Sequence, residues 1–327
     1  MVAAPSHRAT QDTGWPHRWL SGHGQVLVVL GAIVALFVVV SFVNQRFLSP
    51  ANLTTIFSGN AYIAVAAIGM TMVIITGHID VSVGALIGVL ATIAGTLAVA
   101  GWPLWMVWLA PLVVGVLVNT LAGALVAYAG IPSIVLTLGF LSILKGGLIV
   151  VTGGDWISDL PRGFFLAQMK LFGLPVPMLT ALVLTLAVAW WMAHFRFGRA
   201  IYAVGSNPEA ARAIGISVER TVVGVFALHG LFAGIAAVLF ATQLTIIQST
   251  VPPNLELMII TACVIGGVSI LGGVGTVIGA ALATILFATI TSAMIFTNVS
   301  AYWLRAVIGG LILITVLADV ARRRRQA

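Results

Sequence analysis

The chain alternates long apolar runs with short polar or glycine-rich interruptions. A polar stretch, residues 1–25 with Arg8 and Arg18, precedes an apolar run from Val26 to Val43. Further runs fall at Leu53–Thr76, Val81–Ala100, Leu104–Tyr128, Ser133–Val151, Val176–His194, Val222–Thr242, Glu256–Val268, Gly273–Ile295 and Ala301–Asp319. Read against a hydrocarbon core of about 30 Å, they predict an all-α membrane protein of about ten transmembrane helices. No A-x-A-like site follows the first run, so it reads as a retained span rather than a cleaved signal peptide. Composition agrees: 61% of residues are apolar, only 7% are charged and the mean hydropathy is +1.16, which excludes a soluble globule with a polar surface. The single cysteine, Cys263, lies inside an apolar run, which rules out a disulfide framework or a cysteine metal cluster and suits a small core residue.

Charge then sets the expected topology. With both termini in the cytoplasm, Arg8, Arg18, Arg196, Arg199, Arg212, Arg220 and Arg322 to Arg325 fall inside, and only Arg46, Arg162 and Lys170 fall outside. An odd number of spans would strand one of the basic tails on the wrong side. The net charge of +7 is therefore a topology signal with some attraction to anionic lipid, not a nucleic-acid footprint.

One interruption stands out: Gly77-His78-Ile79-Asp80-Val81-Ser82-Val83-Gly84 places a His and an Asp between two apolar runs with glycine on both sides. In lipid such a break survives only where protein or a water-filled cavity surrounds it. Aligning Val73 with Val264 without gaps sets VIITGHIDVSVGALIG over VIGGVSILGGVGTVIG, and seven of sixteen positions agree. The second copy carries Gly266, Gly267, Gly272, Gly273 and Gly275. Paired glycine-interrupted segments in corresponding places point to a pathway near the midplane. Asp80 is expected to hold its segment by accepting hydrogen bonds, Ser82 being the local donor.

The longest cytoplasmic loop, residues 196–221, predicts a two-turn helix: Asn207 as N-cap, Pro208 at the first position, Glu209 against the helix dipole and Gly215 as the stop. Its Ala210, Ala211, Ala213 and Ile214 suit insertion into a partner's groove, with Arg199, Arg212 and Arg220 suited to acidic residues around it. An ordinary amphipathic helix at the membrane surface is the competing reading.

TGHIDVSVGALIG, GRAIYAVGSNPEAARAIGISVER and ACVIGGVSILGGVGTVIGA together resemble the ribose/xylose/arabinose-type permease family, membrane subunits of bacterial ATP-binding cassette importers, over about residues 26–320. The resemblance extends to relatives carrying rhamnose or autoinducer-2. It implies a ten-span permease domain (26–320) between a polar cytoplasmic tail (1–25) and a basic one (321–327) in the bacterial inner membrane. It also implies a second permease subunit, a cytoplasmic ATPase with two nucleotide-binding domains that holds the ATP and Mg, and a periplasmic sugar-binding protein. Glu209, Ala210, Ala211, Arg212 and Gly215 match the family's coupling loop, which docks on the ATPase. Where the family commonly has Gly-Gly-Ile-Asp-Leu-Ser, this chain has His78, either a substrate-selective feature or a tolerated variant.

No G-x-x-x-x-G-K-[ST] occurs, so the chain offers no P-loop of its own, and no catalytic or metal-binding pattern accompanies His78 and Asp80. No cofactor bound by this chain is expected. A proton-coupled secondary transporter is the main alternative, but it would need a relay inside the bundle, for which only Asp80, Lys145, Glu256 and Arg305 qualify, three of them near span ends. Neutral sugar passage favours hydroxyls, amides and aromatics, for which Asn60, Tyr62, Asn119 and Gln243 are available, each equally able to bridge helices. The expected function is a permease subunit that imports a monosaccharide such as a pentose or rhamnose by alternating access, with autoinducer-2 as the alternative cargo.

Overall fold

The computed structural model describes residues 15–300 and positions 303, 306, 307, 309, 310 and 313. The helices are α1 (Trp15–Val43), α2 (Pro50–Gly59), α3 (Ala61–Ile75), α4 (Val83–Val99), α5 (Leu104–Ala129), α6 (Ser133–Thr152), α7 (Val176–His194), α8 (Arg196–Ser206), α9 (Pro208–Ala213), α10 (Val218–Ala241), α11 (Leu255–Ile265) and α12 (Val277–Phe296). Two small antiparallel pairs dress the loops: β1 (Trp156–Ile157) with β4 (Ile247–Gln248), and β2 (Lys170–Leu171) with β3 (Leu174–Pro175).

Among the described residues, 7 helical segments are long and apolar enough to cross a membrane: Gly24–Val43, Pro50–Ile75, Leu104–Ala129, Ser133–Thr152, Val176–His194, Val218–Ala241 and Val277–Phe296. Two expected spans emerge shorter. The run Val81–Ala100 gives α4, 17 residues, and Glu256–Val268 gives α11, 11 residues. At 1.5 Å per residue α11 rises only about 16 Å, half the hydrocarbon core. The run Leu53–Thr76 is jointed at Asn60, which caps both α2 and α3 with φ −110° and ψ 14°. The expected span Ala301–Asp319 falls largely outside the described residues, and so do residues 1–14 and 314–327, which carry most of the two expected tails.

Burial sorts the helices into an inner and an outer set. Helix α3 is buried along almost its whole length, and α10 and α12 along most of theirs. Helices α1, α6 and α7 have few buried residues in the isolated chain. The central contact is α10 between α3 and α5, and it is made by glycine. Gly115 and Gly230 bring the backbones of α5 and α10 together, Gly123 receives the Phe226 side chain, and Gly69 on α3 lies against His229 and Phe232. Small residues let helices approach where no water-driven force assembles them. This close packing of α3, α5 and α10 positions the glycine-broken loop at the end of α3.

Candidate functional site

Both glycine interruptions form helix–loop–helix breaks. Helix α3 ends as His78 N–H donates to Val73 O (3.2 Å) and Gly77 N–H to Ile74 O (2.9 Å), with Gly77 at φ +82°. Helix α11 ends the same way: Val268 N–H donates to Cys263 O (3.0 Å) and Gly267 N–H to Val264 O (3.0 Å), with Gly267 at φ +93°. Both are left-handed glycine caps. They pair Gly77 with Gly267, one residue from the gap-free alignment, and the second loop runs longer before α12 begins at Val277. The likeness of the two segments is one of cap geometry more than of residue register.

The two loops touch. Gly273 N–H donates to Ile75 O across a distance of 2.8 Å, and a Cβ on Gly272 would lie 3.1 Å from Gly77 Cα and 2.9 Å from Gly205 O. A Cβ on Gly205 would fall on Ile75 O, and one on Gly273 would meet Ser206 Cα at 3.0 Å. Tyr202 OH, on α8, donates to Gly275 O at 3.0 Å. The last turn of α8 is therefore wedged against both breaks at once. Of the sequence-predicted glycines, Gly77, Gly272, Gly273 and Gly275 meet here. Gly266 packs backbone to backbone on Gly279, Gly267 lies against Gln25, and Gly84 lies against Glu256, each away from the junction.

Asp80 is fully buried beside this junction. Its Oδ1 accepts from Ser82 N–H (2.8 Å) and from Ser82 OH (2.6 Å), as the sequence predicts. Its Oδ2 lies 3.4 Å from Nε2 of His229, midway along α10, without hydrogen-bond geometry, so both atoms and His229 Nδ1 are short of a partner among the described residues. Helix α6 holds the rest of the loop: Ile79 N–H donates to Ser133 Oγ (3.2 Å) and Val81 N–H to Thr137 Oγ1 (3.1 Å). His78 is half-buried and tilts against Phe226, ring centroids 6.3 Å apart.

Past Ser206 the chain enters α9. Asn207 caps it by accepting from Ala210 N–H (3.0 Å), Pro208 opens it, Glu209 sits in its first turn, and Gly215 follows it at φ +84°. Arg212 pairs with Glu219 at 2.7 Å, fastening α9 to the start of α10. One expectation fails. Ala211, assigned to a partner's groove, is buried in this chain's own core at 2% exposure, whereas Ala210, Ala213 and Ile214 are exposed. A two-turn helix lying on a surface has an inner side, and Ala211 is on it. Beside Ile214 a groove runs between α8 and the link to α10, lined by Arg196, Phe197, Arg199, Ala203 and Ile216.

The four path candidates separate. Gln243 Nε2 donates to Ser58 O (3.4 Å), and Tyr62 tilts on Phe240 at 5.0 Å, so with Asn60 they gather where α2, α3 and the end of α10 meet. Asn119 is elsewhere, buried on α5 where it faces Gly230, with neither amide atom hydrogen-bonded among the described residues.

The sequence description of one family, the permease component of branched-chain amino acid transport systems, matches residues 52–316. The chain belongs to this permease family. Among curated relatives, the autoinducer 2 import system permease protein LsrC of Salmonella typhi is 40% identical over 294 residues, 90% of this chain and 84% of that protein. LsrC of Shigella flexneri is 37% identical over 299 residues, 91% of this chain and 87% of its own length. No solved structure matches the chain. The permease is thus a multi-pass protein of the inner membrane, similar to importer permeases. The junction residues least visible in its sequence are Tyr202, Gly205 and Ser206, whose only local signal is a Gly-Ser pair just before the Asn207 cap. His229, Ser133 and Thr137 carry no local signal tying them to Asp80.

Proposed function

We propose that this permease is the membrane subunit of an ATP-driven importer that brings autoinducer-2, a small polyhydroxylated molecule, into the cytoplasm. It works as a pair of permease subunits in a ten-span topology with both termini cytoplasmic. A periplasmic binding protein delivers the cargo, and a cytoplasmic ATPase with two nucleotide-binding domains holds the ATP and Mg. The observation that carries the reading is the continuous path of contact from exposed α9, through Ser206 and Gly205, into the junction of the two glycine breaks. Displacing α9 displaces the last turn of α8, and backbone contact leaves no slack before Ile75 and Gly273 follow. The loops at the ends of α3 and α11 then shift relative to α5 and α10, which opens one side of the bundle and closes the other. The cargo assignment draws on the names of the relatives and replaces the pentose or rhamnose expectation.

Uptake by proteoliposomes holding the permease, its ATPase and its binding protein tests the cargo. ATP-dependent uptake of autoinducer-2 in preference to ribose and rhamnose is expected. Preference for either sugar restores the monosaccharide reading, and uptake driven by a proton gradient without ATPase replaces the mechanism altogether. Docking is tested at Ala210, since Ala211 faces inward. Ala210→Trp should insert and fold normally yet lose the ATPase on co-purification. Retention of the ATPase and of wild-type uptake would return α9 to the status of a surface helix.

A further inference from the structure

Residues 195–217 join two candidate spans, α7 and α10, so α8 and α9 lie at a face of the membrane. Only Phe195 separates α8 from α7, which puts the first turn of α8 at the level of the lipid headgroups. The end of α7 suits that level. Trp190 and Phe195 are exposed, and Trp190 stacks on His194 (ring centroids 5.2 Å apart) and meets Phe195 edge-on at 5.6 Å. Aromatic side chains of this kind seat at the membrane–water interface. Next to them, Arg196, Arg199, Ala200 and Ala203 fall within an arc of about 100° on one side of α8. With Ile214 and Ile216 from the link that follows α9, they wall a groove of about 640 Å³. Phe197, also in its wall, is held by Trp191 (5.8 Å between rings) and by Gly224 of α10. Both arginines are exposed, and among the described residues neither has a carboxylate partner. Arg199 Nη1 donates to His194 O (2.9 Å), which keeps the guanidinium at the end of the span and leaves most of its donor fork to a ligand.

Two guanidinium groups one turn apart suit a phosphate, which arginine grips through paired N–H donors. A lone phosphate would leave the groove nearly empty, since its volume holds about twenty water-sized groups. An acidic protein segment would match the charges but not the place. The first turn of α8 hangs from α7, an outer span with few buried residues, and the exposed Ala210 and Ala213 of α9 do not line the groove. We propose that this groove holds an anionic phospholipid, its phosphate between Arg196 and Arg199 and its glycerol and first methylenes along Ala200, Ala203, Ile214 and Ile216. The lipid anchors the outer end of α8, whose last turn is wedged against both glycine breaks. Such a site requires that α7 and α10 span the membrane, and neither the importer reading nor the cargo bears on it.

Native mass spectrometry of the full chain in detergent, alone and with its ATPase, against equal amounts of phosphatidylglycerol and phosphatidylcholine reads the site directly. One phosphatidylglycerol per permease should be retained at least about tenfold more strongly than phosphatidylcholine, as charge-assisted bonds to two arginines require. Arg196→Gln combined with Arg199→Gln should abolish the preference. Arg220→Gln, which removes an exposed arginine outside the groove, should keep it. A wild type without preference overturns the site, and so does an equal loss in Arg220→Gln, which would reduce the effect to general surface charge. Because Arg199 also holds His194 O, Arg196→Gln alone gives a second reading if the double variant does not fold; an unchanged preference there overturns the phosphate grip. Two further arms separate the sources of negative charge. Release of the lipid by inorganic phosphate at equal concentration would mean an anion site indifferent to the acyl chains. Displacement of the lipid by the ATPase, with ATPase binding lost in the double variant, would assign the arginines to an acidic protein surface. Either result overturns the phospholipid.

Discussion

The two glycine breaks end their helices with the same cap but are held in opposite ways. The first, Thr76–Ser82, is fastened by side chains: Ser82 on Asp80, Ser133 and Thr137 on its backbone, and His229 beside its carboxylate. The second, Gly266–Thr276, is fastened by backbone. Ser269 N–H donates to Val274 O (2.9 Å), Gly272 N–H to Ser269 O (3.0 Å) and Gly273 N–H to Ile75 O (2.8 Å), with close glycine contacts around them. Side-chain bonds can be removed singly, each at its own cost. Backbone-to-backbone contact admits no added atom without moving a whole segment. Damage should therefore be graded in the first break and abrupt in the second.

The largest effect is expected at Gly205, where α8 presses on both. A valine there would put its Cβ onto Ile75 O and disturb the Gly273 to Ile75 hydrogen bond. Overfilling a packed site costs about 1–3 kcal/mol, and more where the obstacle is backbone. Gly205→Val should lower the thermal midpoint in detergent and abolish uptake together. A variant of native stability and full uptake would mean that α8 does not wedge the junction.

Asp80 comes next. Asp80→Ala strips two buried donors of Ser82 of their acceptor and leaves His229 facing an empty site; an unsatisfied buried group costs about 1–3 kcal/mol, more when a charge was involved. Reduced assembly as well as reduced uptake is expected, with Asp80→Asn milder because it keeps an acceptor oxygen. If Asp80→Ala assembles with wild-type stability and loses uptake alone, the carboxylate acts on cargo or gating and not as the fastener of this loop.

Which of these features could be read from sequence follows from how local they are. The Asn207 cap, Pro208, the Gly215 stop and the Asp80–Ser82 bond each join residues within a few positions, so the residue types alone suffice. His229 reaches Asp80 only because Gly69 lets α10 close on α3, and the wedge of Gly205 between Ile75 and Gly273 exists only once three segments meet. Spans were legible as apolar runs, but hydropathy could not reveal that α11 stops after 11 residues or that Asn60 joints the second run, because buried protein and lipid select the same residues. Ala211 was misplaced for a related reason: a row of alanines carries no polarity to tell its inner side from its outer.

A smaller, graded loss belongs to Thr137. Its hydroxyl accepts from Val81 N–H and also donates within α6, to Ser133 O at 2.8 Å. Thr137→Val keeps shape and removes both, so a loss of about 1 kcal/mol is expected for the half-buried amide left behind. Faster hydrogen exchange confined to residues near Val81 would show it. Exchange that quickens equally around Gly273 would mean the two breaks loosen together and the contrast between them is wrong.

The smallest effect sharpens the comparison most. Tyr202 OH is the side-chain hydrogen bond seen to reach the second break from α8, and its acceptor, Gly275 O, sits in a loop already braced by its own backbone. If backbone contact dominates there, Tyr202→Phe removes one bond of about 0.5–1.5 kcal/mol from a half-buried site and little else. The ring keeps its packing, so assembly and ATPase binding should match wild type, with a thermal midpoint only slightly lowered. A loss as large as that of Asp80→Ala would show that the second break also depends on a side-chain fastener. The two halves of the junction would then be held alike, and the abrupt failure expected at Gly205 would need another cause.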